Sequence, residues 1–302
     1  MLGSRRIRAV CYGHGVSTVD ARRLPVDGGG AVFCEVAGHG PPLVLTHDGI
    51  LHRESWDAQF ESLSESYRVV RWDRRGYGRS DEPHAPFASD EDLAQVIASL
   101  TDPPGILMGC SVGALLSLQC TLTHPELVAA LVLVGPIVSG LDFTEHFISR
   151  GGHRPDGVLT TAEEIDYWSS ADPWFIAQPN IKARDRLRAL LTANPNNLRP
   201  DEDLEQAFVS PVLARLGHIA IPTLIIVGEY DIADVHAHSG AIEAGIPGAR
   251  RMVLPKSGHM PHFEVPGEFN TAVLGFLTAQ QNGPSTRLNA STRRSARPTS
   301  TD

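Results

Sequence analysis

The amino-acid sequence predicts an α/β protein with a mostly parallel, eight-stranded sheet and helices on both faces. Short runs rich in Val, Ile and Leu alternate with longer amphipathic stretches, and Gly or Pro bounds most of the runs. Such runs suit strands buried on both faces of a parallel sheet, and their alternation with helices is typical of α/β folds. A length of 302 residues and a hydrophobic fraction of 42% allow one large core.

The strands and helices follow in order after regular structure begins near Val19. The seven later predicted strands are Ala31–Ala37, Pro42–Thr46, Tyr67–Trp72, Gly105–Met108, Ala129–Val134, Thr223–Val227 and Arg251–Leu254. The predicted helices of the alternating part are Trp56–Ser64, Ser89–Ser99, Val112–Leu122, Val235–Ala244 and Glu268–Gln281.

One segment interrupts the alternation. From about residue 141 to residue 219 the sequence has amphipathic helix patterns and no strand candidate. We interpret residues 141–220 as a helical lid inserted after the sixth predicted strand, over the carboxyl edge of the sheet. The alternative is a set of extra helices packed against one flank. Thr161 and Glu164 have the spacing of a capping box at the start of the first lid helix.

The two ends of the chain differ from the core, which comprises residues 18–140 and 221–281. Residues 1–17 lack periodicity and are interpreted as a flexible N-terminal extension, with Val16 as an alternative start of translation. Residues 282–302 are rich in Ser, Thr and Arg and nearly free of large apolar side chains, which predicts a disordered tail.

Composition argues against several functional classes. The net charge is −9, and because both ends are rich in arginine, the body between them is more acidic still. Acidic surface repels phosphate, so we expect no nucleic-acid partner. No apolar run is long enough to span a membrane, and the first residues lack a secretory signal, so we predict a cytoplasmic protein. The four cysteines lack CxxC or zinc spacing, which predicts free thiols.

Ser111 lies in the segment Gly109-Cys110-Ser111-Val112-Gly113, where a buried run passes abruptly into a helix pattern. A serine hydroxyl is a weak nucleophile, and a sharp strand-to-helix turn presents it to a substrate and a base. The two glycines suit a strained turn with no room for side chains. The Val112 amide, at the helix N-terminus, can donate a hydrogen bond to a developing oxyanion.

A base and an orienting acid should follow in the chain order Ser, Asp, His. Asp231 ends the segment TLIIVGEYD, and His259 follows the last predicted strand in LPKSGHMPHF. Loops beyond the carboxyl ends of strands are where open α/β sheets build their sites. We predict that His259 Nε2 accepts the Ser111 proton, while Asp231 binds Nδ1–H and stabilises the imidazolium.

These motifs make the chain resemble the α/β-hydrolase superfamily, with its serine-nucleophile esterase- and lactonase-like members, from about Val19 to Gln281. The resemblance rests on LVLTHDG, RWDRRGYGRS, GCSVG, HPE, VGEYD and SGHMPHFEVP. It implies the α/β-hydrolase fold and a second oxyanion amide in the HDG segment, from Gly49 or the adjacent Ile50. The family usually has Gly where this chain has Asp48, which puts a carboxyl near the site.

Alternatives to the predicted triad are disfavoured by their context. Cys110 is an alternative thiol nucleophile, but its side chain should point away from the turn. His262 is an alternative base outside the SGH context, and Asp142, after the sixth predicted strand, is an alternative acid with a weaker motif. His236 and His238 are either a metal pair or polar positions near a helix start; since no third ligand is obvious, we predict no metal.

Four other residues are candidates for roles at or near the site: Asp48, Asp73, Trp168 and Trp174. Asp48 either tunes the site or binds a polar substrate group, or it bonds to its own backbone. Asp73 is predicted to fix its loop through neighbouring amides or Arg75. Trp168 and Trp174 in the lid either line the substrate pocket, as Ile50 would, or pack within the lid.

Together these residues predict a serine hydrolase without cofactor that cleaves a small-molecule carboxylic ester or lactone through an acyl-enzyme. Thioesters and carbon–carbon bonds beside a ketone would use the same residues. The alternatives are a lyase, cyclase or acyltransferase with the same triad, and a catalytically silent binding protein that retained the fold. Ser at the turn, where related haloalkane dehalogenases and epoxide hydrolases have Asp, argues against those two chemistries.

Overall fold

The computed structural model describes residues 6–12, 15–150, 159–198 and 203–281. Within these ranges the strands are β1 Arg6–Tyr12, β2 Gly15–Pro25, β3 Ala31–Ala37, β4 Pro42–Thr46, β5 Arg68–Asp73, β6 Gly105–Cys110, β7 Val128–Val134, β8 Thr223–Gly228 and β9 Arg250–Leu254. They form one sheet in the order β1-β2-β3-β5-β4-β6-β7-β8-β9.

The sheet is antiparallel at one edge and parallel elsewhere. The antiparallel pairs are β1 with β2, β2 with β3, and β3 with β5. The remaining neighbours pair in parallel, in the order β5, β4, β6, β7, β8 and β9. The predicted α/β class with a mostly parallel sheet is therefore confirmed. Since the parallel strands all run the same way, their carboxyl ends meet at one edge, where ligands bind in such sheets.

The N-terminal part of the sheet differs from the sequence prediction. β1 and the start of β2 lie where residues 1–17 were predicted to be a flexible extension, so the sheet has nine strands in the described residues and not eight. β1 lies at the sheet edge and pairs through its backbone with β2. Backbone pairing needs no apolar periodicity, which was the signal sought. The predicted tail, residues 282–302, lies outside the described residues.

Helices cover both faces of the sheet. The α-helices of the described ranges are α1 Asp57–Leu63, α2 Ser89–Leu100, α3 Val112–Thr123, α4 Glu145–Ile148, α5 Thr161–Asp166, α6 Ile181–Ala193, α7 Ala233–Gly245, α8 Pro261–Glu264 and α9 Pro266–Gln281. Helices α1 and α9 share one apolar cluster with the sheet, and α2, α3 and α7 share the other. In the part of the chain described, no helix is both long and apolar enough to cross a membrane.

Between β7 and β8 the described residues contribute helices α4, α5 and α6 and no strand of the sheet. The capping box at α5 is formed by Thr160 and Glu163: the Glu163 amide donates to Thr160 Oγ1 at 3.3 Å, and the Thr160 amide donates to Glu163 Oε2 at 2.8 Å. The predicted pair of Thr161 and Glu164 is therefore wrong by one residue. Glu164 is buried and accepts a hydrogen bond from the Trp168 indole instead.

Candidate active site

Ser111 forms the turn between β6 and α3. Its φ of 53° and ψ of −114° are strained for a residue with a side chain. Its amide donates to the Val134 carbonyl on β7 at 2.9 Å, which anchors the turn. A Cβ on Gly113 would lie 2.4 Å from the Thr46 carbonyl oxygen, and one on Gly109 would lie 2.1 Å from the Gly113 oxygen. Neither glycine can accept a side chain, as the sequence predicted.

The variant Gly113→Ala is expected to lose about 1–3 kcal/mol of unfolding free energy, because its Cβ overlaps the β4 carbonyls. Urea unfolding measures this loss. Gly275→Ala in α9 is the matched control, since a Cβ there meets no atom within 4 Å, and helix propensity favours Ala by up to about 1 kcal/mol. Equal stability of the two variants would contradict the tight contact at the turn.

Asp231 and His259 meet at the carboxyl edge of the sheet, after β8 and β9 respectively. His259 Nδ1 lies 2.9 Å from Asp231 Oδ2, and both residues are buried. The other carboxylate oxygen accepts from the Ile232 amide at 2.8 Å. The His259 amide donates to the Trp174 carbonyl at 2.8 Å, and the Phe175 ring lies 5.6 Å from the imidazole. The imidazole is thus oriented by both the sheet and the helical segment.

The surroundings of Ser111 and His259 are in direct contact. The Cys110 thiol lies 3.6 Å from Met260 Sδ, so the residues next to the serine and the histidine touch. A Cβ on Gly135, directly after β7, would lie 2.9 Å from His259 Nδ1. The serine turn and the His–Asp pair therefore share one site.

Burial lowers the pKa of His259, but the charge and hydrogen bond of Asp231 outweigh burial, so the pKa is raised above 6.5. A histidine base must be neutral to accept a proton. We therefore expect the rate of the ester hydrolysis predicted from sequence to rise with pH through an apparent pKa above 6.5. A pH series of kcat/KM on a p-nitrophenyl ester measures it. The fall of kcat/KM towards low pH is the acid limb of this profile. An acid limb with an apparent pKa below 6.5, or a profile without an acid limb, would contradict the expectation.

The alternative residues are less suited to the chemistry. Cys110 is fully buried, and burial raises the pKa of its thiol well above 9.0. His262 is fully buried against Trp56, at 3.9 Å between ring centroids, and burial lowers its pKa to about 3. Asp142 is exposed to solvent. These environments favour Ser111, Asp231 and His259.

Of the candidate metal pair His236 and His238, the second residue has other partners in the structure. His238 is buried, its Nδ1 accepts from the Val138 amide at 3.0 Å, and its ring stacks on Phe143. Within the described ranges no cluster of three or more potential ligands could hold a metal ion.

The loop after β4 brings Gly49 against the start of α3. A Cβ on Gly49 would lie 3.5 Å from Val112 Cγ2, and the Gly49 carbonyl accepts from the Tyr77 hydroxyl at 2.8 Å. The Ile50 amide donates to Asp48 Oδ1 at 2.8 Å, which removes it as an oxyanion donor. Neither the Gly49 nor the Val112 amide donates a hydrogen bond within the residues described. Both amides therefore remain candidates for the predicted oxyanion donors.

His47 and Arg74 fix the backbone of this loop. The Arg74 amide donates to His47 Nε2 at 3.0 Å, so His47 carries its proton on Nδ1, which lies 2.8 Å from the Asp48 carbonyl oxygen. Arg74 Nη2 donates to the same oxygen at 3.1 Å. Burial lowers the pKa of His47 well below 6.5, so the ring stays neutral and keeps this arrangement.

Asp73 has the structural role that the sequence predicted, but with a different cationic partner. It accepts from the Arg53 amide at 2.9 Å, from Arg53 Nη1 at 2.8 Å and from the Arg79 amide at 2.9 Å. Arg75, the predicted partner, pairs instead with Asp92 through two bonds of 2.7 Å. Arg53 is twenty residues away in sequence, so neighbour spacing gave no sign of it.

Trp168 and Trp174 lie on the helical side of the site, around Arg150. The Arg150 guanidinium lies 5.3 Å from the Trp168 ring and 5.6 Å from the Trp174 ring, and it forms an ion pair with the buried Asp172 at 2.8 Å. Its charge also acts on His259. Sequence reasoning did not find Arg150, because nothing local in the chain marks it.

Glu264 is a second residue that sequence reasoning missed. One of its oxygens accepts from the Gly258 amide at 2.7 Å, and the other accepts from the Ala177 amide and the Asn180 side chain at 2.8 and 2.7 Å. It ties the loop of His259 to the helical segment. Glu264 stands within the motif SGHMPHFEVP, but the motif does not reveal contacts with residues so distant in sequence.

Strand order, the strained serine turn and the buried His–Asp pair together define an enzyme of the α/β-hydrolase fold class. The model of the alpha/beta hydrolase family matches residues 43–272. The chain belongs to the alpha/beta hydrolase family.

Individual relatives agree with this assignment. The Klebsiella pneumoniae (strain 342) protein named "Putative carbamate hydrolase RutD" is 31% identical, over 80% of this chain and 92% of the relative. A pimeloyl-[acyl-carrier protein] methyl ester esterase of Nitrosomonas europaea is 27% identical, over 79% and 96%. A solved hydrolase structure from Pseudomonas aeruginosa superposes with a TM-score of 0.70 at 25% identity, over 85% and 98%.

Proposed function

We propose that the protein is a serine hydrolase that cleaves a small-molecule carboxylic ester or lactone through an acyl-enzyme. The observation that carries this proposal is the buried hydrogen bond of 2.9 Å between His259 Nδ1 and Asp231. This pair lies at the carboxyl edge of the sheet, where the Ser111 turn also lies. The names of the relatives, which describe hydrolysis of a methyl ester and of a carbamate, support acyl chemistry of this kind.

The reaction begins when Ser111 Oγ attacks the substrate carbonyl carbon and His259 Nε2 accepts the serine proton. The amides of Gly49 and Val112 bind the resulting oxyanion. The bond to the leaving group then breaks as His259 returns the proton to the leaving oxygen. Water attacks the acyl-enzyme in the same way and releases the acid. Asp231 holds Nδ1–H throughout and stabilises the imidazolium.

The described residues between 141 and 220 act as the lid of this site in the proposal, whereas residues 151–158 and 199–202 lie outside the described part of the chain. The contacts of Trp174 and Phe175 with His259 support it, because they place part of this segment directly against the base. Trp168, Trp174, Ile50 and Asp48 would then border the substrate, a small acyl compound. No cofactor enters any step.

A panel of p-nitrophenyl esters of rising acyl length, together with simple lactones, tests the proposal. We expect hydrolysis of at least one ester series, with a preference set by the lid. Product analysis with and without an added alcohol separates hydrolysis from acyl transfer, since a transferase forms the new ester in preference to the acid. Turnover of no ester or lactone, or products formed without water as acceptor, would contradict hydrolysis.

A further inference from the structure

Asp48 has an unusual environment for a loop carboxylate. It is 1% exposed, and its Oδ1 accepts from the amides of Ile50 and Leu51 at 2.8 and 3.1 Å. Its Oδ2 is buried and has no hydrogen-bond partner in the part of the chain that is described. An unpaired buried polar atom is destabilising, and more so when it is charged. Bonding to the loop backbone alone does not explain a carboxylate here.

The register of the sheet places Asp48 beside the reacting groups. The last paired residues of β4 and β6 are Thr46 and Gly109. Asp48 lies two residues after Thr46, and Ser111 lies two residues after Gly109, so the two side chains follow neighbouring strands at the same level. The Asp48 charge acts on both His259 and Cys110. The carboxylate is therefore part of the surroundings of both the nucleophile and the base.

We propose that Asp48 is a positioning residue of the hydrolytic site, with two roles. Its Oδ1 holds the Ile50 and Leu51 amides, so that the loop presents the Gly49 amide to the oxyanion. The negative charge centred on its unpaired Oδ2 favours the imidazolium that His259 forms during acylation. This inference rests on the proposed serine hydrolase function.

Among the other groups that face His259, Asp231 also favours the imidazolium, and the Asp48 charge adds to its effect. Asp231, from the loop after β8, binds Nδ1, whereas Arg150 from the helical segment opposes the imidazolium. His262 on α8 is neutral near pH 7, because burial lowers its pKa to about 3. Burial is the largest influence on Asp48 and raises its pKa above 3.8, although the Ile50 amide and the His259 charge act in the opposite direction.

Two variants separate the roles. Asp48→Asn keeps an acceptor oxygen for the two amides but removes the charge, and Asp48→Gly removes both. The rate of Ser111 labelling by a fluorophosphonate is measured against pH, together with kcat and KM on a p-nitrophenyl ester. Asp102→Asn is the control, because Asp102 is exposed and precedes β6 at the opposite edge of the sheet.

For Asp48→Asn we expect efficient labelling with an acid limb shifted down by about 0.5–1 pH unit, since His259 loses a neighbouring negative charge. For Asp48→Gly we expect the same shift and, in addition, kcat lowered about tenfold or more through loss of the ordered oxyanion loop. Asp102→Asn should keep the wild-type limb. Thermal unfolding of each variant confirms that it is folded.

An acid limb of Asp48→Asn that coincides with wild type overturns the charge role. Wild-type kcat in Asp48→Gly overturns the loop role. If wild-type protein itself resists labelling at every pH, the proposed function fails first. If the wild-type protein labels normally and both Asp48 variants match it in acid limb and kcat, the inference on Asp48 is refuted while the proposed function stands.

Discussion

Ser111→Ala is expected to lower kcat for p-nitrophenyl ester hydrolysis by roughly 10⁶-fold, the scale seen when a serine nucleophile is removed from such a site. The reason is that the variant lacks Ser111 Oγ, the atom that forms the covalent bond to the substrate carbonyl carbon, while the Gly49 and Val112 amides remain. The residual rate comes from those amides and from binding. Because Ala can occupy the same turn with a smaller side chain, the stability of the protein should change little. Initial rates and thermal unfolding measure the two effects.

Ser66→Ala is the matched control for this experiment. Ser66 is exposed, and its amide, which the substitution keeps, bonds to the Leu63 carbonyl. Its kcat should equal that of wild type. Activity of the Ser111 variant within tenfold of wild type would show that the nucleophile lies elsewhere.

Asp231→Asn is expected to lower kcat by roughly 10⁴-fold with little change in KM. An amide in place of the carboxylate donates to His259 Nδ1, so the ring proton moves to Nε2, where the serine proton must be accepted. The variant also loses the charge that raises the pKa of His259, so the remaining activity should have its acid limb at lower pH. Steady-state kinetics across pH measures both changes.

Asp142→Asn tests the assignment of the acid directly. Asp142 is the exposed alternative after β7, and its substitution should leave kcat and the pH profile unchanged. A larger loss from Asp142→Asn than from Asp231→Asn would transfer the acid role to Asp142.

The buried strands were predictable because burial on both faces requires continuous apolar runs. β3 and β4 have the bounds predicted from sequence, and β6 and β8 are buried at every position. β1 was missed because an edge strand is held by backbone pairing, which leaves no apolar pattern. The register of the capping box was missed because Thr160 and Thr161 both fit its spacing.

The site was predictable where its residues stand in local motifs. Ser111 and Asp231 each follow a strand that is buried throughout, His259 follows the last strand, and the structure brings Asp231 onto His259. Residues that act across the chain were not predictable in this way. The contact of Phe175 with His259 joins residues far apart in sequence, and so does the tie from Glu264 to Ala177.

The most direct test of the central claim is labelling of the intact protein with a fluorophosphonate at neutral pH, followed by peptide mapping. The structure predicts a single adduct on the peptide that contains Ser111, and none on Ser111→Ala. Failure of the wild-type protein to label, or equal labelling of Ser111→Ala, would contradict the assignment of Ser111 as the nucleophile.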